Sequence, residues 1–212
     1  MDKLNYENNK QLMLEKYEWD KVWIENTWDN DSNRVLYIGD SISDDTRKAA
    51  NKLKKGEILF DGFATSKALD NPFYKKSLSL FIEQLPKIEL ILFNNGLHGF
   101  HLEDESEYAR YYEEMVEFLL EKYPNVPLFL LLTTYRRNEE KLKRVKARNE
   151  VVLNIAKKYN LHVIDLYTVT EKNKDLLSED GVHFTIEGYE VIAKEIIKKY
   201  NVIHFGGSIY ET

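Results

Sequence analysis

The stretch Arg34-Val-Leu-Tyr-Ile-Gly-Asp-Ser-Ile-Ser-Asp-Asp-Thr46 contains the succession of elements that decides the fold. It opens with a short apolar run rich in β-forming residues, which is typical of a buried strand. The turn Gly39-Asp40-Ser41 follows, and Asp44 and Asp45 then fall in the first turn of a predicted helix, where acidic side chains are favoured. A buried strand that leads through a tight turn into a helix predicts an α/β unit.

The same alternation of strand and helix continues along the chain. Apolar β-rich runs bounded by turn residues or charge predict five buried strands, and the spacing of apolar residues between them predicts helices. Such alternation implies parallel strands joined by right-handed crossovers, with helices on both faces of the sheet. We therefore predict a three-layer α/β/α sandwich with a mostly parallel five-stranded sheet, of the flavodoxin-like kind. The predicted strands are Arg34–Ile38, Glu57–Phe60, Glu89–Phe93, Pro127–Leu132 and Leu161–Leu166, and the predicted helices are Asp44–Lys54, Phe73–Gln84, Glu105–Tyr123, Asn138–Tyr159 and Ile186–Tyr200.

The length and composition indicate one domain. The chain has 212 residues, of which 43% are apolar, and this is enough for one well-buried core. We predict a single domain over 1–212, made of an N-terminal helical arm (1–30), a core (31–200) and a C-terminal tail (201–212). Trp19, Trp23 and Trp28 lie in the arm and are expected to pack across the domain.

The charge pattern and the absence of cysteine exclude several classes of protein. The net charge is -6, and Lys and Arg alternate with Glu and Asp, so we expect no nucleic-acid partner. The sequence MDKLNYENNK lacks the order of a secretory signal, and no apolar stretch approaches the roughly 18 residues that a membrane span needs. We expect a soluble, cytoplasmic protein that binds no membrane. The lack of cysteine excludes disulfides, thiolate metal sites and a cysteine nucleophile.

Small and polar residues follow the predicted strands, at the edge of the sheet where open α/β sheets bind ligands. They include Asp61-Gly62, Asn94-Asn95-Gly96 and Thr133-Thr134, besides Ser41. A serine between a strand and a helix exposes its hydroxyl group, and the helix terminus offers free N–H groups and a positive dipole to an oxyanion. The alternative interpretation is that Ser41 or Ser43 only caps the helix.

A second polar group, Asp180-Gly-Val-His183, precedes the last predicted helix. In a loop that folds back, this spacing lets the carboxylate accept a hydrogen bond from one imidazole nitrogen while the other nitrogen faces a serine. The alternative is a helix cap beside a structural histidine. Together, Ser41, His183 and Asp180 form the candidate nucleophile, base and orienting acid.

From about Arg34 to Tyr200 the sequence resembles the SGNH/GDSL hydrolase superfamily. Gly39-Asp40-Ser41 matches its first block, and Asp180-Gly-Val-His183 matches its last block. The resemblance implies that the serine attacks an ester carbonyl, that the histidine is the general base and that the aspartate orients the histidine. It also implies that the oxyanion is bound by the serine N–H, a glycine N–H of the second block and an asparagine side chain of the third.

The second and third blocks give the candidate oxyanion donors. Asp61-Gly62-Phe63 resembles the second block, with Gly62 as the donor. In the third block, the usual Gly-x-Asn-Asp is replaced by Gly96-Leu-His-Gly99, so His98 stands where the asparagine is expected. We prefer Asn95 as the donor and keep His98 as the alternative, since both side chains can donate. This block resembles a branch in which carbohydrate acetylesterases are expected.

We therefore predict a carboxylic ester hydrolase that removes small acyl groups, acetyl first among them, from an ester substrate such as an acetylated sugar, with no cofactor and no metal. Asp40 and Arg136 are predicted to contact the substrate. A lysophospholipase or thioesterase with the same triad, a flavodoxin-like module that binds phosphate at Gly39–Ser43, and a silent carbohydrate-binding relative are the alternatives. A metal site at His98 and His101, with Glu103 and Asp104, is a further alternative, and a homo-oligomer is left open.

Overall fold

A computed structural model of the chain describes residues 13–205. In this range a six-stranded sheet has the order β1-β3-β2-β4-β5-β6; β2 to β6 are parallel, and β1 pairs antiparallel with β3. The strands are β1 (Asp20–Trp23), β2 (Asn33–Gly39), β3 (Ile58–Thr65), β4 (Leu90–Phe93), β5 (Leu128–Leu131) and β6 (His162–Ile164). The helices are α1 (Ser41–Lys54), α2 (Tyr74–Ile82), α3 (Glu105–Lys122), α4 (Glu139–Tyr159), α5 (Leu166–Lys172) and α6 (Ile186–Phe205), with a 3-10 helix at Lys174–Leu176.

Alternate residues of the strands enter two separate hydrophobic cores, because successive side chains of a strand point to opposite faces. Leu36 and Ile38 of β2 lie in the core covered by α2, α3 and α4. Val35 and Tyr37 lie in the core covered by α1, α5 and α6. The predicted three-layer α/β/α architecture with a mostly parallel sheet is therefore confirmed. Strand β2 lies inside this sheet and ends at the Gly39-Asp40-Ser41 turn.

The sheet has a sixth strand that the sequence did not predict. Within the described part of the predicted helical arm, Asp20–Trp23 forms β1, an exposed edge strand whose backbone pairs with Gly62 to Thr65 of β3. The prediction of a helix is wrong here, because long-range pairing with β3 satisfies the backbone of this segment. Trp28 is 92% exposed and does not pack across the domain.

Several other boundaries also differ from the predictions, among them the end of β3, which extends to Thr65. Helix α5 begins at Leu166, the last residue of the predicted strand Leu161–Leu166, and the rest of α5 and the 3-10 helix lie where no element is predicted. Helix α6 extends to Phe205 and so includes the first five residues of the predicted tail. The rest of that tail, 206–212, and the first part of the arm, 1–12, lie outside the described residues. None of the helices found in 13–205 is both long enough and apolar enough to cross a membrane.

Candidate active site

The chain packs so closely at the Gly39-Asp40-Ser41 turn that there is no room for a side chain at position 39. A Cβ there would lie 2.8 Å from the Cβ of Ser43. Asp40 is the N-cap of α1: its Oδ1 accepts a hydrogen bond from the Ile42 N–H at 2.9 Å. Ser41 is thus the first helical residue, and its N–H has no acceptor within the helix.

This position of Asp40 corrects one predicted role. Asp40 is only 2% exposed, and its carboxylate is turned inward to the cap. The Ser43 hydroxyl also donates to the Asp40 carbonyl, at 2.6 Å. Asp40 therefore shapes the turn that presents Ser41, and its burial argues against the predicted contact with the substrate.

The three candidate catalytic side chains lie in one hydrogen-bonded line. The Ser41 Oγ is 2.8 Å from the His183 Nε2, and the His183 Nδ1 is 2.6 Å from the Asp180 Oδ2. The second oxygen of Asp180 accepts hydrogen bonds from the Ser178 hydroxyl and from the N–H groups of Val182 and His183. This is the arrangement of a nucleophile, a base and an acid that orients the base.

Arg137 holds the loop that carries Asp180 and His183 through hydrogen bonds to its carbonyls. Arg137 donates its N–H to the Gly181 carbonyl at 2.8 Å, and its guanidinium donates to the carbonyls of Ser178 and Glu179. Partial burial of Asp180 opposes its ionisation, but the hydrogen bonds from His183, Val182 and Ser178 outweigh it and hold the pKa of Asp180 well below the ordinary 3.8. Asp180 is therefore a carboxylate across the physiological pH range, as an orienting acid must be.

Gly62 does not lie where an oxyanion donor is needed. It is in the middle of β3, between Trp23 of β1 and Tyr37 of β2, and a Cβ there would lie 2.6 Å from the Arg47 side chain. The residue of β3 that lies beside Gly39 is Ala64. The predicted role of Gly62 is corrected: β3 continues past Asp61, so Gly62 allows Arg47 to approach the sheet.

Asn95 also has a structural role, which corrects our preference in the third block. Its side chain is completely buried, and its amide nitrogen donates to the Lys67 carbonyl at 3.0 Å. Its own carbonyl accepts a hydrogen bond from the Tyr108 hydroxyl at 2.6 Å. Asn95 therefore ties the loop after β4 to the loop after β3 and to α3.

His98 lies beside Glu15, an acidic residue that the sequence analysis did not single out. The His98 Nδ1 lies 3.1 Å from the Oε1 of Glu15, a carboxylate that is only 5% exposed. The same oxygen accepts the Gly99 N–H at 3.2 Å. Burial lowers the pKa of His98, but the hydrogen bond and charge of Glu15, with weaker effects of Asp40 and Glu18, raise it above the ordinary 6.5. Glu15 thus contacts the Nδ1 of His98, and no hydrogen-bond partner of its Nε2 lies within residues 13–205.

Hydrogen bonds from Arg148 of α4 hold the loop that carries His98. This arginine is completely buried, and its guanidinium donates to the carbonyls of Gly96, His98 and Gly99 at 3.1, 2.6 and 2.7 Å. Because three carbonyls within four residues share one rigid, planar donor, the backbone of this loop is held in one conformation.

The histidines considered as metal ligands each have a carboxylate partner instead. His98 pairs with Glu15, and the Nε2 of His101 lies 2.6 Å from the Oδ2 of Asp70. Asp104 is the N-cap of α3. In the part of the chain that the structure describes, no group of three or more His, Asp and Glu side chains is placed to hold a metal ion.

Part of the chain, without Ser41, is similar to a known protein family. Residues 93–191, which include His98, Asp180 and His183, match the GDSL-like lipase/acylhydrolase family. A GDSL esterase/lipase of Arabidopsis thaliana is 33% identical over 64 residues, a stretch that covers 29% of this chain and 20% of the relative. The match thus spans about a fifth of the length of that curated relative.

Solved structures with low sequence identity have the same fold. A member of the lipolytic G-D-S-L family from Veillonella parvula superposes with a TM-score of 0.66 at 15% identity, covering 80% of this chain and 99% of that one. Axe2, an acetylxylan esterase from Geobacillus stearothermophilus, gives 0.61 at 19% identity, covering 80% and 95%. A lipase/acylhydrolase from Enterococcus faecalis gives 0.59 at 16% identity, covering 79% and 95%. Residues 93–191 thus resemble the GDSL-like lipase/acylhydrolase family, and the fold of the chain is that of the lipase and esterase structures to which it is similar.

Proposed function

We propose that this chain is a serine esterase that hydrolyses small acyl esters through an acyl-enzyme, with Ser41 as nucleophile, His183 as base and Asp180 as orienting acid. One observation carries the proposal: the Ser41 Oγ, the His183 ring and the Asp180 carboxylate are joined by contacts of 2.8 and 2.6 Å. These residues come from two segments far apart in the chain, so the fold alone brings them together.

In the first step the Ser41 Oγ attacks the ester carbonyl and its proton passes to the His183 Nε2. The new imidazolium is stabilised by the Asp180 carboxylate, which already holds the Nδ1 hydrogen. The tetrahedral intermediate collapses when the alcohol leaves with the proton from His183. A water molecule then attacks the acyl-Ser41 ester, with His183 again taking and returning the proton.

We further propose that the oxyanion accepts hydrogen bonds from the Ser41 N–H and from the Nε2–H of His98. Both donors are fixed before a substrate arrives: Ser41 is the first residue of α1, and His98 is held by Glu15 and by the Arg148 contacts to its loop. Donors that need no reorganisation are worth a few kcal/mol each to the transition state. A protonated His98 would add the strength of a charge-assisted bond.

For the substrate we propose an acetyl ester, carried by a carbohydrate. The proposal follows from the third block, in which Asn95-Gly-Leu-His98 replaces the usual pattern. An acetylxylan esterase among the chains of similar fold is consistent with it.

The test is hydrolysis of para-nitrophenyl acetate and of acetylated xylose by the wild type and by Ser41→Ala, His183→Ala and Asp180→Asn. We expect loss of all detectable turnover in the first two variants and a large decrease in kcat in the third. Ser43→Ala is the matched control, because Ser43 lies on the same turn of α1 and donates to the Asp40 carbonyl. Turnover by Ser41→Ala at the wild-type rate would exclude the mechanism.

A further inference from the structure

Arg136 lies beside the candidate catalytic loop and is only 8% exposed. It follows β5, in the segment that leads to α4. The backbone is held on both sides of it: Tyr135 donates its N–H to the Thr170 hydroxyl at 2.9 Å, and Arg137 donates its N–H to the Gly181 carbonyl at 2.8 Å. Arg136 is therefore held next to the loop that contains Asp180 and His183.

The other buried arginines each have an acceptor. Arg34 donates to the Asp61 carboxylate and to three carbonyls, Arg47 donates to Asp44, and Arg148 donates to the carbonyls of the His98 loop. Buried cations are expected to be paired in this way, because an unpaired charge out of water is costly.

Arg136 differs from them, since no acceptor within residues 13–205 forms a hydrogen bond or ion pair with its guanidinium. Its Nε is enclosed and unpartnered, whereas the two terminal nitrogens are not enclosed. The Cζ of the guanidinium lies over the ring of Phe100, 5.7 Å from the ring centroid. Burial lowers the pKa of Arg136, and only the charge of Asp180 opposes this. Asp180 itself is occupied, because His183, Val182 and Ser178 take its two oxygens.

The chemistry of the guanidinium identifies the class of group that it fits. Its planar donors match the two oxygens of a carboxylate or a phosphate. A single unpaired arginine balances one negative charge, which is the charge of a carboxylate, while a phosphate monoester carries nearly two at neutral pH. We propose that Arg136 binds a carboxylate of the substrate, so that the enzyme prefers esters that carry a carboxylate close to the bond that is cleaved. This inference rests on the proposed esterase function.

The carboxylate can belong to the acyl group or to the alcohol, and two pairs of esters separate these sources. Para-nitrophenyl hydrogen succinate and para-nitrophenyl butyrate have acyl chains of the same length and differ in the terminal carboxylate. Para-acetoxybenzoate and its methyl ester differ in the charge on the alcohol side. The measurement is kcat/KM for all four esters with the wild type, Arg136→Gln, Arg136→Lys and the control Arg110→Gln, whose arginine is exposed on α3 and pairs with Glu114.

We expect the wild type and the control to prefer the charged ester by about tenfold or more in one of the two pairs, which corresponds to one hydrogen-bonded charge pair. In Arg136→Gln the ratio of kcat/KM values falls to about one, because kcat/KM decreases more for the charged ester than for the neutral ester. Arg136→Lys keeps part of the preference, since it keeps the charge and loses the planar fork.

A wild-type ratio near one in both pairs, with normal turnover of the neutral esters, overturns the inference and leaves the esterase function intact. An unchanged ratio in correctly folded Arg136→Gln also overturns it. Because the wild-type ratio is measured first, the inference can fail even if a variant does not fold. No turnover of any of the four esters contradicts the esterase function itself, and the inference with it.

Discussion

The contact between Glu15 and His98 leads to the most discriminating prediction. Glu15→Gln keeps the size of the side chain and an oxygen that can accept the Gly99 N–H, but it removes the charge that lies 3.1 Å from the His98 Nδ1. If His98 donates to the oxyanion, the loss of this charge weakens a catalytic hydrogen bond without removing the imidazole.

The expected magnitude follows from the strength of that bond. Loss of a whole oxyanion donor costs about 100- to 1000-fold in kcat, or roughly 3 to 4 kcal/mol, which is our expectation for His98→Ala. A charge-assisted hydrogen bond is about twice as strong as a neutral one, so Glu15→Gln is expected to lose about half of this energy. Half corresponds to roughly 1.5 to 2 kcal/mol, and thus to a decrease in kcat of about 10- to 30-fold, with KM nearly unchanged.

The pH profile separates a catalytic from a structural role of Glu15. Because Glu15 raises the pKa of His98, the protonated imidazole is favoured below that pKa and is lost as the pH rises through it. In Glu15→Gln the pKa of His98 falls, although Asp40 and Glu18 still raise it, so the decline in kcat that accompanies loss of the proton moves to lower pH.

The assay is kcat for para-nitrophenyl acetate from pH 5 to 9 in the wild type, Glu15→Gln, His98→Ala and the double variant, with thermal unfolding as a check of the fold. Since Glu15 acts through His98, the double variant should be no slower than His98→Ala alone. Additive losses in kcat, or a Glu15→Gln variant that unfolds at lower temperature but keeps wild-type kcat, would refute the reasoning.

Two further predictions concern Asp180 and Gly62. Because the pKa of Asp180 is held below 3.8 in the folded protein, its contribution to stability is complete above about pH 5 and is lost as the pH falls below 3.8. The urea unfolding midpoints of the wild type and of Asp180→Asn should therefore approach each other as the pH is lowered from 7 to 3. A difference between the two midpoints that does not change with pH would contradict this prediction. Gly62→Ala should lower the free energy of unfolding by about 1 to 3 kcal/mol, because the new Cβ would lie 2.6 Å from the Arg47 side chain. It should leave kcat per folded molecule unchanged. Urea unfolding measures the first quantity, and kcat corrected by active-site titration measures the second. A large loss of kcat in folded Gly62→Ala would return Gly62 to the oxyanion site.

Elements whose sequence contains a local signal, such as an apolar run or a helix cap, could be predicted. Strand β2 is apolar and β-rich, and the glycine and the capping aspartate that follow it start α1 at Ser41. Strand β1 has no such signal: Asp20–Trp23 is exposed along its whole length and forms a strand only because β3 offers a free edge.

The sequence pattern predicts the end of β3 at Phe60, five residues too early, because the charged Asp61 follows there. Asp61 lies inside the strand, completely buried, and its carboxylate is paired with the buried guanidinium of Arg34 at 3.0 Å. A pattern of apolar residues cannot show that a charge has a partner elsewhere in the chain. Because the predicted strand ends at Phe60, Gly62 is predicted to lie in the loop after it, where an oxyanion donor is expected.

The candidate site was predictable where a motif is short and local, and unpredictable where it depends on distant contacts. The spacing of Asp180 and His183 placed both side chains correctly relative to each other. Glu15, which contacts His98, lies in a charged segment with no distinguishing pattern, and only the fold brings it to the loop after β4. Arg136 was a candidate from its position after a strand, but its lack of a partner is a property of the packed structure.

The most direct test of the account is a label on the nucleophile. Wild type, Ser41→Ala and Ser43→Ala are treated with a serine-directed fluorophosphonate, and the intact mass and the modified peptide are determined for each. We predict one phosphonyl group per molecule on Ser41 in the wild type and in Ser43→Ala, and none in Ser41→Ala, with esterase activity lost in step with labelling. Labelling of Ser41→Ala at the wild-type rate, or full esterase activity in the labelled wild type, would contradict the assignment of Ser41 as the nucleophile.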